Sequence, residues 1–343
     1  MPSSNNLAVL AAAGSRKTQH IVECVLGDPG QRALVTTYTT ENMNQLVDRL
    51  TSGGAVPRLV TTMPWFTFLL SQCARPYQSA VLGDVGVIRG LNFLGQPNRF
   101  IPKSKPRAYY LDRDGDLYRD RTAAFACEAN RLSAGQVIGR LAEIYDHVYI
   151  DEVQDLAGDD LTLVKLLMDS PIAVTMVGDP RQATFSTNNA AKNKRYKGSA
   201  IAEWLWNNSA SCDIEHRSES FRCNQAICDF ADGLYSDQPS TTSKNTEITG
   251  HDGIFAIRPD EVRAYVEEYS PTVLRWDKRA NTQGLAAMNF GQSKGSTFDR
   301  VLIFPTQPMV KYYRTRKPEQ AGDRAKLYVA VTRAKHSVAF VIP

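Results

Sequence analysis

The sequence predicts an α/β protein with parallel β-strands, of a size that suits two domains. Three short apolar runs, residues 7–10, 148–150 and 172–177, have the length and composition of buried parallel strands. Each run ends in polar or glycine-containing sequence, and the ligand edge of an open α/β sheet lies where such strands end. The chain has 343 residues, which is long for one hydrophobic core and comfortable for two domains.

The composition is that of an ordinary globular protein, and it disfavours several classes of function. Hydrophobic residues make up 43% of the chain, and no run approaches 18 uninterrupted apolar residues. Residues 1–6 lack the basic region and apolar stretch of a secretory signal. The six cysteines are scattered, so we expect reduced thiols rather than a zinc site. These features predict a cytoplasmic protein with no membrane partner, and the net charge of +4 permits an acidic partner.

The first strand leads into a sequence typical of a phosphate-binding loop. Gly14, Ser15, Lys17 and Thr18 follow residues 7–10, and apolar residues then recur at helical spacing. The backbone N–H groups of such a loop, with a helix N-terminus behind them, bind phosphate oxygens. Lys17 would neutralise the β- and γ-phosphates of a nucleoside triphosphate, and the Thr18 hydroxyl would bind Mg²⁺. The alternative is a Gly-Ser-x-Lys-Thr helix start that occurs by chance.

The loop departs twice from the usual glycine pattern. Ala11 stands in place of the first glycine, and Arg16 replaces the glycine before the lysine. Arg16 either restricts the loop or adds a cation beside the phosphates. The nucleotide-binding candidates of this segment are consecutive: Ala13, Gly14, Ser15, Arg16, Lys17, Thr18 and Gln19.

Acidic and amide residues follow the other two strands. Asp151 comes at the end of the second strand and is the candidate metal ligand. Glu152 is the candidate base that orients the attacking water. Gln182 follows the third strand and would sense a γ-phosphate by hydrogen bonding. The alternatives are an acidic helix N-cap and an ordinary Gly-Pro turn. The loop and the acidic strand, in this order, make a nucleoside-triphosphate hydrolase the leading hypothesis.

Four sequence strings together resemble the superfamily 1 helicases of the UvrD, Rep and PcrA type. They are Ala-Gly-Ser-Arg-Lys-Thr (13–18), Asp-Glu-Val-Gln-Asp (151–155), Gly-Asp-Pro-Arg-Gln-Ala-Thr-Phe (178–185) and Tyr-Val-Ala-Val-Thr-Arg-Ala-Lys (328–335). Further segments resemble two DNA-contacting motifs and the fourth and fifth motifs of the family. These segments lie at residues 36–44, 62–66, 221–224 and 291–301, so the resemblance is collinear from about residue 7 to residue 343.

The resemblance implies two RecA-like domains with parallel sheets, of the P-loop NTPase class, with ATP and Mg²⁺ bound at the cleft between them. Residues 1–207 would form the first domain and residues 208–343 the second. Arg222 and Arg333 would act as arginine fingers, because a planar, always charged guanidinium stabilises a phosphoryl transition state. Outside this context, Arg222 would be a surface helix residue and Arg333 a salt-bridged one. The catalytic residues implied are Lys17, Glu152, Gln182, Arg222 and Arg333, with Thr18 and Asp151 on the metal.

The resemblance also bears on base recognition and on the size of the protein. Phe185 falls where relatives place an aromatic ring against the nucleotide base, and Gly295 lies in the fifth motif as a further nucleotide contact. Relatives carry an adenine-reading glutamine motif upstream, for which there is no room before the first strand. The insertion at about 70–145 is small, and the accessory domain of the second half is reduced or absent. The resemblance therefore implies a minimal motor.

Two groups of residues are candidates for contact with single-stranded DNA. Lys194, Arg195 and Tyr196 form a basic cluster with an aromatic ring inside it, a combination that suits a single strand. The alternative is a solvated basic loop. The other candidates belong to motifs that resemble the family's DNA contacts: Thr37, Tyr38, Thr39, Asn44, Trp65, Phe66 and Ser293. For Trp65 and Phe66 the alternative is a helix over residues 65–70 that packs into the core. We expect most of the apolar residues of this helix to be core and one of them to contact a base.

Residues 99–121, within the first insertion, mix cations with four aspartates, so their net basicity is slight. Residues 112–116 superficially suggest a calcium loop. The glycine is at the wrong offset for that loop and the glutamate at the twelfth position is missing, so the sequence predicts a β-hairpin turn instead.

The function predicted from these features is that of an ATP-dependent DNA helicase or translocase on single-stranded DNA, moving 3′ to 5′ if the family resemblance holds. An alternative from a different class is a helicase-like sensor subunit that binds nucleotide and nucleic acid and regulates a partner such as a nuclease, for example in phage or antiphage defence. A catalytically dead scaffold is disfavoured because the full catalytic set is present.

Overall fold

The computed structural model describes residues 5–52 and 54–343, and the chain forms two compact units. Unit 1 comprises residues 5–10, 17–180 and 185–215, and unit 2 comprises residues 11–16, 181–184 and 216–343. Two short segments that follow strands of unit 1, residues 11–16 and 181–184, thus group with unit 2. Residues 1–4, part of the segment predicted to lack a secretory signal, lie outside the described residues. No helix in the described ranges is long and apolar enough to cross a membrane.

Unit 1 is built on a six-stranded sheet. Its strands are β1 (Leu7–Ala11), β2 (Ala33–Thr37), β3 (Val60–Pro64), β6 (His147–Asp151), β7 (Ala173–Gly178) and β8 (Asp213–Arg217). The order across the sheet is β3-β2-β6-β7-β1-β8. The pairs β3–β2, β2–β6, β6–β7 and β7–β1 are all parallel. The three apolar runs predicted as buried strands are therefore confirmed, and they lie side by side as β6, β7 and β1.

The helices of unit 1 cover this sheet and fill a single large core. They are α1 (Lys17–Gly27), α2 (Thr40–Thr51), α3 (Trp65–Phe68), α4 (Gln78–Leu82), α5 (Pro106–Tyr110), α6 (Thr122–Leu132), α7 (Gln136–Ile144), α8 (Asp159–Met168) and α9 (Ile201–Asn207). Helix α3 continues as a π-helical turn over Leu69–Ala74. Helix α6 buries Ala123, Phe125, Ala126 and Ala129. This spacing of three and four residues is that of a helix with one face on the core.

The insertion between α4 and α6 contains a short two-stranded parallel sheet, β4 (Leu91–Asn92) with β5 (Leu117–Tyr118). The turn predicted just before β5 is present. The backbone N–H of Asp112 donates to the carbonyl of Asp116 at 2.9 Å, and Leu111 pairs with Leu117 in one antiparallel bridge. Gly115 has φ of +87°, a conformation that glycine adopts without strain. The hairpin is therefore limited to one bridge, because β5 pairs with β4 instead.

Asn6 fastens the start of β1 to the rest of unit 1. Its side-chain Nδ2 donates to the carbonyl oxygens of Met168 and Ser211 at 2.9 and 2.8 Å. Its Oδ1 accepts from the backbone N–H of Val174, and its own carbonyl accepts from Asp213, both at 2.9 Å. The side chain and the carbonyl of this one buried residue therefore join the end of α8 to the starts of β7 and β8.

Unit 2 is built on a second, five-stranded sheet of order β11-β15-β14-β12-β13, with all four pairs parallel. Its strands are β11 (Gly253–Ile257), β12 (Thr272–Arg275), β13 (Met288–Asn289), β14 (Phe298–Phe304) and β15 (Ala334–Val341), and a small parallel pair joins β9 (Glu219–Ser220) to β10 (Thr242–Ser243). Its helices are α10 (Gln225–Asp232), α11 (Val262–Tyr269), α12 (Gln307–Thr315) and α13 (Arg324–Val331). The central strands β14 and β15 carry runs of buried apolar residues, as expected for strands covered on both faces.

Candidate functional site

The predicted metal ligands of unit 1 are in direct contact. Thr18 lies in the first turn of α1, and Asp151 ends β6. The Thr18 hydroxyl donates to Oδ2 of Asp151 at 2.8 Å, across 133 residues of sequence. Lys17 and Asp151 are both buried. Burial and the neighbouring Glu152 raise the pKa of Asp151, whereas Lys17 and Thr18 lower it. A hydroxyl and a buried carboxylate are oxygen ligands of the kind that Mg²⁺ binds, so the pair fits this metal.

The predicted base, Glu152, is held by a residue to which the sequence assigned no role. Glu152 has φ of 58°, in the left-handed region, and its N–H donates to Oδ1 of Asp151 at 2.9 Å. Nε2 of Gln154 donates to Oε2 of Glu152, and Oε1 of Gln154 accepts from the backbone N–H of Asp179 at 3.0 Å. A Cβ at Gly178 would come within 2.4 Å of Oε1 of Gln154, so a side chain at this position would displace the Gln154 amide. The sequence did offer one indication of this role, because Gln154 is an amide two residues after the predicted base.

The predicted phosphate-binding loop, residues 11–16, belongs to unit 2. The backbone N–H of Ala12 donates to the carbonyl of Arg217 at 2.9 Å, and that of Ala13 donates to the Tyr328 hydroxyl at 3.3 Å. The Ser15 hydroxyl is buried and has no hydrogen-bond partner within the described residues. A phosphate oxygen would satisfy this hydroxyl, so the loop fits the predicted phosphate ligand. Tyr328 is a second residue that the sequence left without a role.

Gly14 and Arg16 both adopt left-handed backbone conformations, with φ of 79° and 61°. The Gly14 carbonyl accepts from the N–H of Phe221 at 3.0 Å, and a Cβ at Gly14 would come within 2.7 Å of Cβ of Arg222. The Arg16 guanidinium lies 4.0 Å from the centre of the Phe221 ring. A left-handed arginine costs about 1–2 kcal/mol, and an exposed cation–π contact returns about 0.5–1 kcal/mol. Arg16 therefore stands where glycine is sterically preferred, and it is held by an aromatic ring.

The predicted sensor and finger residues of unit 2 are linked to one another. Nη2 of Arg333 donates to Oε1 of Gln182 at 2.8 Å, and both side chains are buried. Nε of Arg333 donates to the carbonyl of Val329 at 3.0 Å. Nη1 of Arg222 donates to the carbonyl of Thr332 at 3.1 Å. Both arginines are thus anchored at the end of α13, which positions their side chains.

The remaining nucleotide candidates have different surroundings. Nε2 of Gln19 donates to Glu23 at 3.3 Å along the side of α1. Phe185 is 38% exposed and its ring centre lies 6.1 Å from that of Tyr38. Gly295 has φ of +90°, within the loop before β14. Phe185 is therefore partly exposed beside Tyr38, while Gln19 contacts a neighbour along its own helix.

The nucleic-acid candidates after β2 divide into exposed and buried groups. The Thr37 hydroxyl is buried and has no hydrogen-bond partner in the described part of the chain. Thr39 caps α2, because its hydroxyl accepts from the N–H of Asn42 at 3.1 Å. Asn44 is exposed and Tyr38 is half-buried. Of these residues, Asn44 and Tyr38 have side-chain surface on which a nucleic acid would bind.

Trp65 and Phe66 belong to the core of unit 1. Trp65 is 0% exposed, and its indole N–H donates to Oδ1 of Asp160 at 2.7 Å. Phe66 is 5% exposed and packs edge-on against Tyr38. Both rings therefore fit the alternative of a helix that packs into the core. We do not retain Trp65 as a candidate base contact, because its side chain is not exposed to solvent. Ser293 is also buried, and its hydroxyl donates to the carbonyl of Phe290.

The predicted basic cluster borders a cavity of about 630 Å³ in unit 1. Lys194 and Arg195 are exposed, and Tyr196 is buried. The Arg195 guanidinium lies 4.5 Å from the centre of the Tyr196 ring, and the Tyr196 hydroxyl accepts from Nδ2 of Asn207 at 3.2 Å. Trp204 completes the aromatic part of the lining. The cavity therefore combines two cations, aromatic walls and side-chain amides.

Comparison with known proteins connects this geometry to helicases. A family model described as the UvrD/REP helicase N-terminal domain matches residues 119–197. The solved structure of arterivirus nonstructural protein 10, a helicase, is similar with a TM-score of 0.51 and 17% identity, covering 98% of this chain and 60% of that chain. The same arterivirus helicase in complex with DNA has a TM-score of 0.49 and 16% identity, with 98% and 61% covered. This chain thus spans about three-fifths of the helicase it resembles. No curated protein sequence gives a significant match.

Fold and site together define an α/β protein with parallel sheets, in which Thr18 contacts Asp151 at the end of β6. The matched segment contains Asp151, Glu152, Gln154 and Gln182, and the structural similarity shows a helicase fold with parallel sheets. The predicted fold class is confirmed. The family model thus associates residues 119–197 with UvrD/REP helicases, the type that the sequence strings resemble.

Proposed function

We propose that this protein is an ATP-dependent DNA helicase or translocase that couples ATP hydrolysis to movement along single-stranded DNA in the 3′ to 5′ direction. The observation that carries the proposal is the 2.8 Å hydrogen bond between Thr18 and Asp151, directly beside the buried Lys17. It joins two candidate oxygen ligands for Mg²⁺, and Lys17, the candidate phosphate cation, is near enough to Asp151 to lower the pKa of its carboxyl. The match to the helicase family model supplies the class of nucleic-acid motor.

The residues of unit 1 would hold the phosphates and the metal. Mg²⁺, when bound, supplies positive charge to the β- and γ-phosphate oxygens. Thr18 and Asp151 would hold the ion, and Lys17 would neutralise the same phosphates. The Ser15 hydroxyl, which is buried without a partner in the described residues, would donate to a phosphate oxygen. Each of these groups then binds or orients the triphosphate.

Glu152 would accept a proton from the attacking water and orient it toward the γ-phosphate. The amide of Gln154 holds the carboxylate from one side, and the N–H of Asp179 fixes that amide. Gln154 is thus a positioning residue, because it acts through Glu152. A base held in one orientation contributes more to a phosphoryl transfer than a freely rotating carboxylate, since positioning is most of the catalysis.

Gln182 and Arg333 would respond together to the γ-phosphate. Their hydrogen bond fixes the orientation of the Gln182 amide, with its oxygen toward the Arg333 guanidinium. Arg222 and Arg333 would stabilise the charge that develops on the equatorial oxygens. The shared anchoring of both arginines at the end of α13 would make their positions change together.

The proposal is tested by steady-state ATP hydrolysis of the purified protein, with and without single-stranded DNA. We expect stimulation by DNA, and loss of both basal and stimulated rates in Lys17→Ala. Unwinding of duplexes with either a 3′ or a 5′ tail then gives the direction. Hydrolysis that DNA leaves unchanged would refute the coupling, and preference for a 5′ tail would refute the direction.

A helicase-like sensor subunit is the second candidate, and one observation favours it. The N–H groups of Ala12 and Ala13 already donate to protein oxygens, and Arg16 is held over Phe221. A loop fixed in this way suits a protein that changes state on nucleotide binding and signals to a partner such as a nuclease. Tight ATP binding with weak hydrolysis, unaffected by DNA, would support this function over a motor.

A further inference from the structure

Positive charge is concentrated in one part of the insertion of unit 1. The net charge of the whole insertion does not reveal this, because aspartates elsewhere in the insertion offset it. Between Asp84 and Asp112 the sequence contains no aspartate or glutamate. The same stretch contains five exposed cations, Arg89, Arg99, Lys103, Lys105 and Arg107. The aspartates of the insertion instead gather at residues 112–120. We refer to residues 89–107 as the insertion loop, and its charge complements a polyanion.

The insertion loop also exposes large apolar side chains. Phe93 is 50% exposed, Leu94 95% and Phe100 79%. A single exposed apolar residue is ordinary on a protein surface, but several in one short segment indicate a binding surface. The Arg99 guanidinium lies 4.8 Å from the centre of the Phe100 ring. Cations and exposed rings therefore occur together in the insertion loop.

Side-chain hydrogen bonds hold the insertion loop in place. Oδ1 of Asn92 accepts from the N–H of Leu94 at 3.1 Å, and Oδ1 of Asn98 accepts from the N–H of Phe100 at 2.9 Å. These are local turns in which asparagine replaces a backbone acceptor. Nη2 of Arg121, which is buried, donates to the carbonyl of Asn98 at 3.0 Å. The exposed rings are thus presented by an ordered segment, and a partner would meet them without ordering the loop first.

A row of aromatic rings connects the insertion loop to a residue already proposed to contact nucleic acid. The ring of Phe93 meets Phe66 edge-on, at 5.3 Å between ring centres. Phe66 lies 6.0 Å from Tyr38, and Tyr38 lies 6.1 Å from Phe185. The row begins and ends on exposed rings, Phe185 and Phe93. Tyr38 and Phe93 both contact the buried Phe66, so the insertion loop lies close to Tyr38 in unit 1.

We infer that the insertion loop is a second contact surface for single-stranded nucleic acid, with bases stacked on Phe93 and Phe100 and phosphates neutralised by the surrounding cations. Base stacking on aromatic rings tolerates any sequence, and exposed cations suit a phosphate backbone. This inference rests on the proposed function, because it extends the path of the same strand. It places a nucleic-acid contact in a segment where none of the helicase-like sequence strings lies.

The test is the affinity of the full-length protein for fluorescently labelled oligo-deoxythymidine, measured by anisotropy at several salt concentrations. Phe100→Ala is expected to weaken binding about tenfold, as the loss of one stacked base does. Lys103→Gln with Lys105→Gln is expected to lower the slope of log K against log salt by about 1.4, or about 0.7 for each phosphate contact on a single strand. The matched controls are Ile248→Ala, which removes a side chain that is 90% exposed in unit 2, and Lys311→Gln with Lys317→Gln.

The outcomes separate this inference from the proposed function. A wild-type protein that does not bind the oligonucleotide overturns both. A wild-type protein that binds, with unchanged affinity and salt slope in the loop variants, overturns only the inference and leaves the loop to a protein partner. An equal loss in the control variants also overturns it. Phe100 and both lysines are exposed, so a melting temperature equal to that of the wild type is expected and confirms that the variants fold.

Discussion

Nη2 of Arg333 lies 2.8 Å from Oε1 of Gln182, and this hydrogen bond joins residues 151 positions apart in the sequence. Both side chains are almost fully buried. The two residues belong to different sequence strings, each of which would be unremarkable alone. The contact means that a proposed γ-phosphate sensor and a proposed arginine finger are one hydrogen-bonded unit.

Replacing Arg333 by lysine is expected to lower kcat for ATP hydrolysis by at least about 100-fold, because an arginine finger contributes about 10³–10⁵ to the rate and lysine lacks the planar fork. KM for ATP should change only a few-fold. Arg314→Lys, at an exposed position of α12, is the control. A double-mutant cycle with Gln182→Ala measures the coupling, and purely additive effects would contradict a joint role.

Lys17→Ala should abolish measurable ATP hydrolysis, because the main counter-charge of the β- and γ-phosphates is lost. The side chain is 9% exposed and begins α1, so the smaller alanine fits the helix. Turnover and nucleotide binding are measured separately, with calorimetric or fluorescence binding of a non-hydrolysable analogue. Turnover close to that of the wild type would move the phosphate site away from residues 13–18.

Glu152→Gln should bind ATP normally but hydrolyse it slowly, since an amide cannot accept the proton of the attacking water. Gln154→Leu should lower kcat about tenfold with KM for ATP nearly unchanged, because Glu152 loses the amide that holds it. Single-turnover kinetics distinguish a slow chemical step from slow product release. Fast hydrolysis in Glu152→Gln would assign the base to another residue, and wild-type kcat in Gln154→Leu would remove its positioning role.

Asp160 should make unit 1 less stable at neutral pH than at acidic pH. Burial raises the pKa of Asp160 to about 6, against hydrogen bonds from Thr187 and Trp65 that lower it. The unfolded carboxyl has a pKa of about 3.9, so the folded state binds the proton more tightly. The favourable contribution is present below pH 4 and is lost as pH rises through 6, a change of about 2–3 kcal/mol.

Asp160→Asn isolates this effect. The free energy of unfolding of the wild type minus that of Asp160→Asn should fall as the pH rises from 4 to 7. At neutral pH the asparagine is still expected to be the less stable protein, by about 1–3 kcal/mol, since its NH₂ group would face the donors of Trp65 or Asn188. Urea titrations at both pH values measure the difference, and a difference independent of pH would contradict the raised pKa.

Removing the charges of Lys194 and Arg195 should weaken binding of single-stranded DNA and reduce its salt dependence by about 1.4 in slope, if each neutralises one phosphate. Both side chains are exposed and border the 630 Å³ cavity, so alanine is expected to leave the fold intact. Lys278→Ala with Arg279→Ala, in a loop of unit 2, is the control pair. An unchanged salt slope would place the strand elsewhere on the protein.

The strands, and the candidate site residues at their ends, were predictable because both depend on local sequence. A run of apolar residues that ends in Asp151 or Gly178 indicates a buried parallel strand whatever surrounds it. The contact between Thr18 and Asp151 followed as well, since parallel strands place their carboxyl ends at one edge of the sheet. Periodicity and motif spacing carry this information without knowledge of the packing.

Roles set by packing were not predictable from the sequence. Trp65 occurs in a motif that suggests DNA contact. Its indole N–H instead donates to the buried carboxylate of Asp160, 95 positions away, and the ring lies in the core. The Gln154 amide is positioned by a hydrogen bond from the backbone N–H of Asp179, and it occupies space that a side chain at Gly178 would fill. The charge of the insertion loop was hidden by averaging over residues 99–121, whereas the structure shows which part of that stretch presents exposed rings.

Asn6 also bears on how the amino terminus of this protein tolerates truncation. Four hydrogen bonds from this one residue reach Met168, Ser211, Val174 and Asp213, so its loss would leave buried donors and acceptors of three elements unsatisfied. A deletion that removes Asn6 should therefore expose new protease cleavage sites in the chain around residues 168–174 and 211–213. The residue just before β1 thus holds together segments that are far apart in the sequence, in addition to leading into a strand of the sheet.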